Sequence, residues 1–153
     1  MKTFAPLTIL AVLMSSLCAF FVQAESENIM KSTVSADARI WIESPLDGQK
    51  VSSPFKVTFG STNVGISPAG KPVPNSGHHH LLINLDDLPR MDMPLPASAQ
   101  VIHFGKGQTE NQLELEPGTH SLQLLLGNYM HVPHARPLLS QKITIIVDLG
   151  VLD

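Results

Sequence analysis

The chain has 153 residues, a formal net charge of −3 at pH 7 and a single cysteine. No cluster of lysine and arginine occurs along it, which argues against nucleic acid or an anionic membrane surface as a partner. The one cysteine, Cys18, lies in the apolar N-terminal stretch. Disulfides and cysteine-based zinc, redox or nucleophile sites are therefore excluded from the rest of the chain.

The N-terminus has the pattern of a secretory signal peptide. A basic start precedes residues 4–21, which are almost uncharged and largely apolar, and Val22 and Ala24 supply the small residues of a cleavage site. We predict cleavage after Ala24 and a secreted, periplasmic product. The alternative is an uncleaved anchor, since the apolar run approaches the length of a membrane span. Leu17 precedes the cysteine where a lipoprotein signal requires a small residue, so lipidation is not expected.

After the signal peptide, residues 1–24, the chain divides into a leader and one domain. Residues 25–38 are polar, small and aperiodic, which indicates a flexible leader. Residues 39–153 are enough for one domain with its own core. No second apolar span follows, so we expect a soluble product that has no membrane contact after cleavage.

Short alternating segments separated by turn residues predict strands throughout the domain. Residues 55–59 are the clearest case, because apolar and polar side chains alternate over five positions. The stretch 61–76 is rich in glycine and proline and is predicted to be a long loop without a regular element. The predicted strands span residues 40–44, 55–60, 78–85, 99–104, 109–115, 119–126 and 140–149.

The spacing of these strands is typical of a single antiparallel, immunoglobulin-like β-sandwich of about seven strands, and we predict an all-β fold. Trp41 and Phe55 are assigned to its core. Such sandwiches often carry a tyrosine at the corner between the fifth and sixth strands, and His120 stands in its place here. We interpret His120 as a corner residue that is hydrogen-bonded to backbone.

Histidine is the most distinctive residue type of the domain. Three of the seven histidines follow one another at the start of the third predicted strand. Because successive strands of such a sandwich alternate in direction, the loops after the second, fourth and sixth strands share one end. Six histidines are predicted to meet there: His78, His79, His80, His103, His131 and His134.

This convergence predicts a transition-metal site, because neutral imidazole is the commonest side-chain metal ligand. Strand alternation directs His78 and His80 to one face and His79 to the other, so an ion would bind either the pair or His79. Three protein ligands and an open position suffice for a zinc site. The candidate ligands are His78, His80, His103, His131 and His134.

The ligand types favour copper first and zinc second, since imidazole suits both ions. A thioether would favour copper(I); Met130 lies near the histidine end, whereas Met91 and Met93 are predicted at the opposite end. Glu110 is the one carboxylate within the histidine loops, so a nonheme iron site is not supported.

Four motifs in order carry a resemblance to a known family: GHHHLLI at 77–83, HFGKGQTE at 103–110, PGTHSLQL at 117–124 and HVPH at 131–134. Together they resemble an uncharacterised family of bacterial secreted domains, classed as a domain of unknown function. The resemblance covers roughly residues 60–147 and implies a bacterial exported protein. It implies no activity, substrate or metal, and the histidine motifs of copper-zinc superoxide dismutase are not matched.

The sequence favours an exported metal-binding module that acts as a chaperone, buffer or sensor. Its expected partners are the metal ion and another protein of the cell envelope. The alternative is a structural or interaction sandwich whose histidines only order its loops. The third hypothesis is a hydrolytic or redox metalloenzyme. No Gly-x-Ser-x-Gly motif occurs in the sequence, and we predict no catalytic residues.

Overall fold

The structure is a computed structural model that describes residues 30–148. The predicted signal peptide and the last five residues of the chain lie outside the described residues. Within 30–148, no helix has the length and apolar character needed to cross a membrane. The strands are β1 (Arg39–Ser44), β2 (Lys50–Ser52), β3 (Phe55–Thr62), β4 (Gly65–Ile66), β5 (Ser76–Ile83), β6 (Val101–His103), β7 (Glu110–Leu113), β8 (Gly118–Gly127) and β9 (Ile143–Asp148).

The strands form the two sheets of a sandwich. The smaller sheet has the order β1-β3-β7, and the larger has the order β2-β9-β8-β5-β4, with β6 also paired to β5. Most pairs are antiparallel, whereas β2 with β9 and β4 with β5 are parallel. The predicted all-β, immunoglobulin-like sandwich is confirmed.

Each of the seven predicted strands has a counterpart, and β2 and β4 are additional. The prediction that 61–76 holds no regular element is wrong, because β3 continues through Thr62 and β4 pairs with the start of β5. Asn63 and Asn75 take φ values of +55° and +51° at the turns that make this pairing possible. Such short pairings depend on turn geometry rather than on apolar alternation, so the sequence pattern did not indicate them.

The main core lies between the two sheets. Its fully buried members include Val57, Leu81, Leu122, Leu124, Leu126 and Ile145. Phe55 belongs to it as predicted, with 8% of its surface exposed. The assignment of Trp41 to the core is wrong: Trp41 is 39% exposed, because Ile40 takes the inward position on β1 and its neighbour points outward.

A second apolar cluster covers the other face of the larger sheet. It consists of Leu82, Leu95, Val101 and Leu125, with Met91 packed against it. The loop between β5 and β6 supplies Leu95, whose backbone N–H donates to the carbonyl of His131 over 3.0 Å. Met93, two residues before Leu95, therefore lies near His131, and its predicted placement at the opposite end is wrong.

The described part of the leader contacts the loop between β8 and β9. The Asn128 side chain donates to the Met30 carbonyl over 2.7 Å. The Arg136 guanidinium donates to the Ser35 carbonyl over 2.6 Å. Residues 30–38 form no strand, but these bonds fasten them to the loop that carries two of the candidate ligands.

Candidate metal centre

Strand β5 divides the histidine triplet between the two faces of the larger sheet. His78 and His80 point to the face covered by the β5–β6 and β8–β9 loops, where their rings lie 4.5 Å apart between centroids. His79 points into the main core and packs against Phe59, with 5.1 Å between the ring centroids. All three side chains are fully buried. The alternation predicted from the sequence is confirmed.

His131 brings a third imidazole to His78 and His80. Its Nδ1 lies 3.0 Å from Nε2 of His78 and 3.3 Å from Nε2 of His80. One ligand nitrogen from each of the three rings falls within 4.8 Å of the other two. The three side chains thus converge as the strand-direction argument predicted.

His103 completes a cluster of four imidazoles. In β6 it lies opposite His80, and its ring meets that of His80 edge-on with centroids 4.4 Å apart. It also stacks on His131 at 4.8 Å, while its Nε2 lies 3.3 Å from the carbonyl oxygen of Pro96. We call His78, His80, His103 and His131 the histidine cluster. His103 packs against the cluster through its ring, but it does not supply one of the three convergent nitrogens.

His131 reaches this position with a left-handed backbone, at φ +63°. That conformation is uncommon and strained for a residue other than glycine. The carbonyl of His131 accepts from Leu95 N, and its N–H donates to the Asn128 carbonyl over 2.9 Å. The Asn128 side-chain oxygen accepts from the N–H groups of Met130 and Val132. The surrounding hydrogen bonds thus hold a strained residue that places its ring over β5.

Burial favours the neutral form of three rings, those of His78, His80 and His131. Desolvation, followed by the nearby His131 and His103, lowers the pKa of His78 to about 4. Desolvation and the neighbouring imidazoles lower the pKa of His80 to about 2, with a small opposing effect from the Leu125 backbone. The pKa of His131 is lowered as well, first by desolvation and then by His103. At pH 7 these three imidazoles therefore carry no charge, and no proton competes for their lone pairs.

The second ring nitrogens of the two buried ligand candidates lack partners. Nδ1 of His78 is buried and makes no hydrogen bond within residues 30–148, and Nδ1 of His80 is buried without a well-aligned partner, although the Leu125 backbone approaches the His80 ring. A neutral imidazole has one donor and one acceptor nitrogen, so either tautomer leaves a buried polar atom unpaired. Each such atom costs about 1–3 kcal/mol of stability. Hydrogen bonding within the cluster is thus incomplete.

His134 lies away from the three convergent nitrogens. Its ring is fully buried, and its Nδ1 lies 2.8 Å from the hydroxyl of Ser32. Its Nε2 lies close to Gly77, so that a Cβ added at Gly77 would be 3.0 Å from this nitrogen. The predicted role of His134 as a ligand stays a prediction, and the geometry of this cluster does not support it.

His120 occupies the opposite end of the sandwich in the manner expected for a corner residue. Its Nε2 donates to the Glu116 carbonyl over 2.7 Å. The Asn84 amide donates to its Nδ1 over 2.9 Å. Both nitrogens are thereby satisfied by a single tautomer. The interpretation of His120 as a structural histidine is confirmed.

The donor set of the centre consists of imidazole nitrogens. The convergent group among the described residues contains no carboxylate. Glu110, the acid considered from the sequence, instead forms an ion pair with Lys56 over 2.8 Å. Three imidazoles suit zinc and copper, whereas magnesium and calcium prefer oxygen ligands. The residues present therefore fit a borderline or soft transition-metal ion.

Comparison with known proteins identifies a family and a similar fold. A family model described as "Domain of unknown function (DUF4399)" matches residues 57–148, which include the whole histidine cluster. No curated protein matches the chain. Among solved structures, the fibronectin(III)-like modules of Clostridium thermocellum CbhA are similar over 74% of this chain and 99% of that chain, at 12% identity and a TM-score of 0.44.

Proposed function

We propose that this chain, which belongs to the DUF4399 family of unknown function, binds one transition-metal ion through His78, His80 and His131. The observation that carries the proposal is the approach of three ring nitrogens to within 4.8 Å of one another. In a tetrahedral site with metal–nitrogen bonds of about 2.0–2.1 Å, the ligand nitrogens lie about 3.3 Å apart. The separations of 3.0 and 3.3 Å at His131 are close to that value.

The protonation state supports the same conclusion. Metal ligands must be deprotonated, and a proton that has to be displaced weakens binding. Burial has already removed that competition at His78 and His80, whose pKa values are about 4 and about 2. The candidate ligands are therefore ready for an ion at neutral pH.

We propose copper or zinc as the ion, with His103 available as a fourth ligand. Both metals accept imidazole ligands. Met130 directly precedes His131, and a thioether ligand would favour copper in its reduced state. A chaperone, buffer or sensor fits better than a hydrolytic enzyme, because the convergent group among the described residues contains no carboxylate to act as a general base. The N-terminal pattern of residues 1–24 supports a periplasmic location, where another envelope protein would deliver or receive the ion.

The second candidate function is a structural or interaction sandwich whose histidines only order its loops. The 3.0 Å contact between His78 and His131 favours it, because that is an ordinary hydrogen-bond length. In this arrangement Nδ1 of His131 is hydrogen-bonded to Nε2 of a neighbouring ring, and the tautomers decide which nitrogen donates. Unpaired ring nitrogens do not separate the two functions, because His79 and His134, outside the cluster, also leave a buried Nε2 without a partner.

Isothermal titration of the tag-free protein with Zn²⁺, Cu²⁺ and, under reducing conditions, Cu⁺ tests the proposal. We expect one ion per chain with a Kd below about 10 μM, which corresponds to about −7 kcal/mol. Weaker binding of all three ions would overturn it. His120→Gln is the matched control, because it removes a histidine at the other end of the sandwich and should leave metal binding unchanged.

Substitution of His80, His103 and His131 together by glutamine separates the two candidate functions. If the cluster binds an ion, the variant loses the increase in stability that the metal gives to the natural protein. If the histidines only order the loops, the variant loses the same free energy of unfolding in chelator and in metal.

A further inference from the structure

A groove of about 400 Å³ lies beside β1, between residues 38–41 and residues 136–141. Its volume is within the range of small-molecule sites. Strand β1 is at the edge of the smaller sheet and pairs only with β3. The residues of the histidine cluster do not line the groove, although Arg136 lies on the same β8–β9 loop as His131.

Trp41 forms a flat wall of this groove. Three atoms of its indole lie so close to Gly60 that an added Cβ there would overlap the ring. The absence of a side chain at Gly60 therefore lets the indole lie flat against β3. Trp41 is nevertheless 39% exposed. An exposed, flat indole offers a stacking surface for a ligand ring.

Two guanidinium groups give the groove a positive charge. Arg39 and Arg136 line it together with Gln141, and no aspartate or glutamate does. Arg136 uses one N–H on the Ser35 carbonyl, which leaves further donors. The Arg39 backbone pairs with Thr62 in the β1–β3 ladder, whereas neither ion pair seen among residues 30–148 involves its guanidinium. In a chain of net charge −3, this local excess of positive charge favours an anionic ligand.

We infer that the groove binds an acidic saccharide. A sugar ring would stack on Trp41, and its carboxylate would pair with Arg39 and Arg136, whose planar donors match a carboxylate bidentately. The amide of Gln141 and the indole N–H of Trp41 would bind hydroxyl groups of the sugar. This lining of amide, indole N–H and guanidinium suits a ligand rich in hydroxyl groups better than a wholly apolar acid.

The single tryptophan of the chain provides the measurement. We would titrate the purified protein with trigalacturonate and follow the emission of Trp41, expecting a saturable change. The methyl ester of the same trisaccharide keeps the rings and removes the charges, so its affinity should be at least tenfold lower. No saturable change up to 10 mM, as an order-of-magnitude limit for weak sites near −3 kcal/mol, or equal affinity for the ester would overturn the inference.

Variants locate the ligand. Arg39→Gln and Arg136→Gln should each weaken binding about tenfold, because each removes a charge-assisted pair. Arg90→Gln is the matched control, since Arg90 is exposed, pairs with Asp92 and does not line the groove. Trp41→Ala, followed by calorimetry, should abolish binding. Equal effects of the three arginine variants would overturn the location, and tighter binding of benzoate than of trigalacturonate would overturn the saccharide.

Discussion

Gly127 lies beneath the imidazole of His80, so that an added Cβ at position 127 would come to 2.5 Å from Cε1 and 3.1 Å from Nδ1 of that ring. Strand β8 pairs with β5 here, with Gly127 opposite His78. Neither backbone can move apart without breaking this pairing. A side chain at position 127 would therefore displace the His80 ring.

Gly127→Ala is predicted to weaken metal binding at least tenfold, a change of about 1.4 kcal/mol in binding free energy. The shift of the His80 ring moves Nε2 out of register with the other two ligand nitrogens. Overpacking should also lower the free energy of unfolding by about 1–3 kcal/mol. Calorimetric titration measures the first effect, and urea unfolding in chelator measures the second.

Gly105→Ala is the control for this variant. Its nearest neighbour would be the Cβ of Ala69 at 3.7 Å, an ordinary contact, so binding and stability should stay close to those of the natural protein. Natural affinity in Gly127→Ala would show that the position of the His80 ring is unimportant for the ion.

His131 allows backbone strain to be separated from metal binding. We predict that His131→Asn and His131→Ala both lose the metal-dependent increase in stability, which is about 2.7 kcal/mol at a hundredfold excess of ion over Kd. In chelator, the asparagine variant should be more stable than the alanine variant by up to about 1 kcal/mol, because asparagine tolerates the left-handed conformation at φ +63°.

Paired urea unfolding curves in chelator and in metal give both quantities. If His131→Asn kept the full metal-dependent increase in the free energy of unfolding, the imidazole of His131 would be excluded as a ligand. Equal stability of the two variants in chelator would show that the left-handed backbone is not maintained once the imidazole is removed.

The sequence predicted the convergence of His78, His80 and His131 because two local rules are sufficient for it. Alternation along a strand decides which face each of the first two occupies. Alternating strand direction decides which loops share an end. These rules do not predict the position of the His134 ring, because a hydrogen bond to Ser32, 102 residues away in the chain, directs it.

Trp41 shows a similar limit for the fold. It stands between Ile40 and Ile42, and an uninterrupted apolar run gives no alternation from which to choose the buried face. Contact with Gly60 on the neighbouring strand decides the outcome. The close approach of Gly127 to His80 also depends on strand pairing, so the sequence, which ended the sixth predicted strand at residue 126, did not indicate it.

His120 provides a histidine whose role is structural alone. We predict that His120→Ala lowers the free energy of unfolding by about 0.5–1.5 kcal/mol, because it removes two exposed hydrogen bonds, to the Asn84 amide and the Glu116 carbonyl. Metal affinity should not change. Urea unfolding and calorimetry test the two statements, and an altered affinity would mean that the two ends of the sandwich are coupled.

The buried histidines predict a loss of stability in mild acid. Histidines of the unfolded chain take up protons near pH 6.5, whereas His78 in the folded protein has a pKa of about 4 and His80 of about 2. Between pH 6.5 and 4 the unfolded state therefore binds more protons than the folded state, and stability falls as the pH falls. Each group contributes up to about 1.4 kcal/mol per pH unit. Below pH 4 the folded protein also protonates His78, so the share of that residue stops growing.

Urea unfolding in chelator at pH 7, 6 and 5 measures this slope. Because carboxylates and the other buried histidines titrate as well, the natural protein is compared with His78→Gln, which removes one titrating group from the cluster. We expect the variant to lose less stability between pH 6 and pH 5, by up to about 1.4 kcal/mol. Parallel pH profiles would mean that His78 is protonated as readily in the folded state as in the unfolded chain. The lowering of the His78 pKa by burial would then be ruled out.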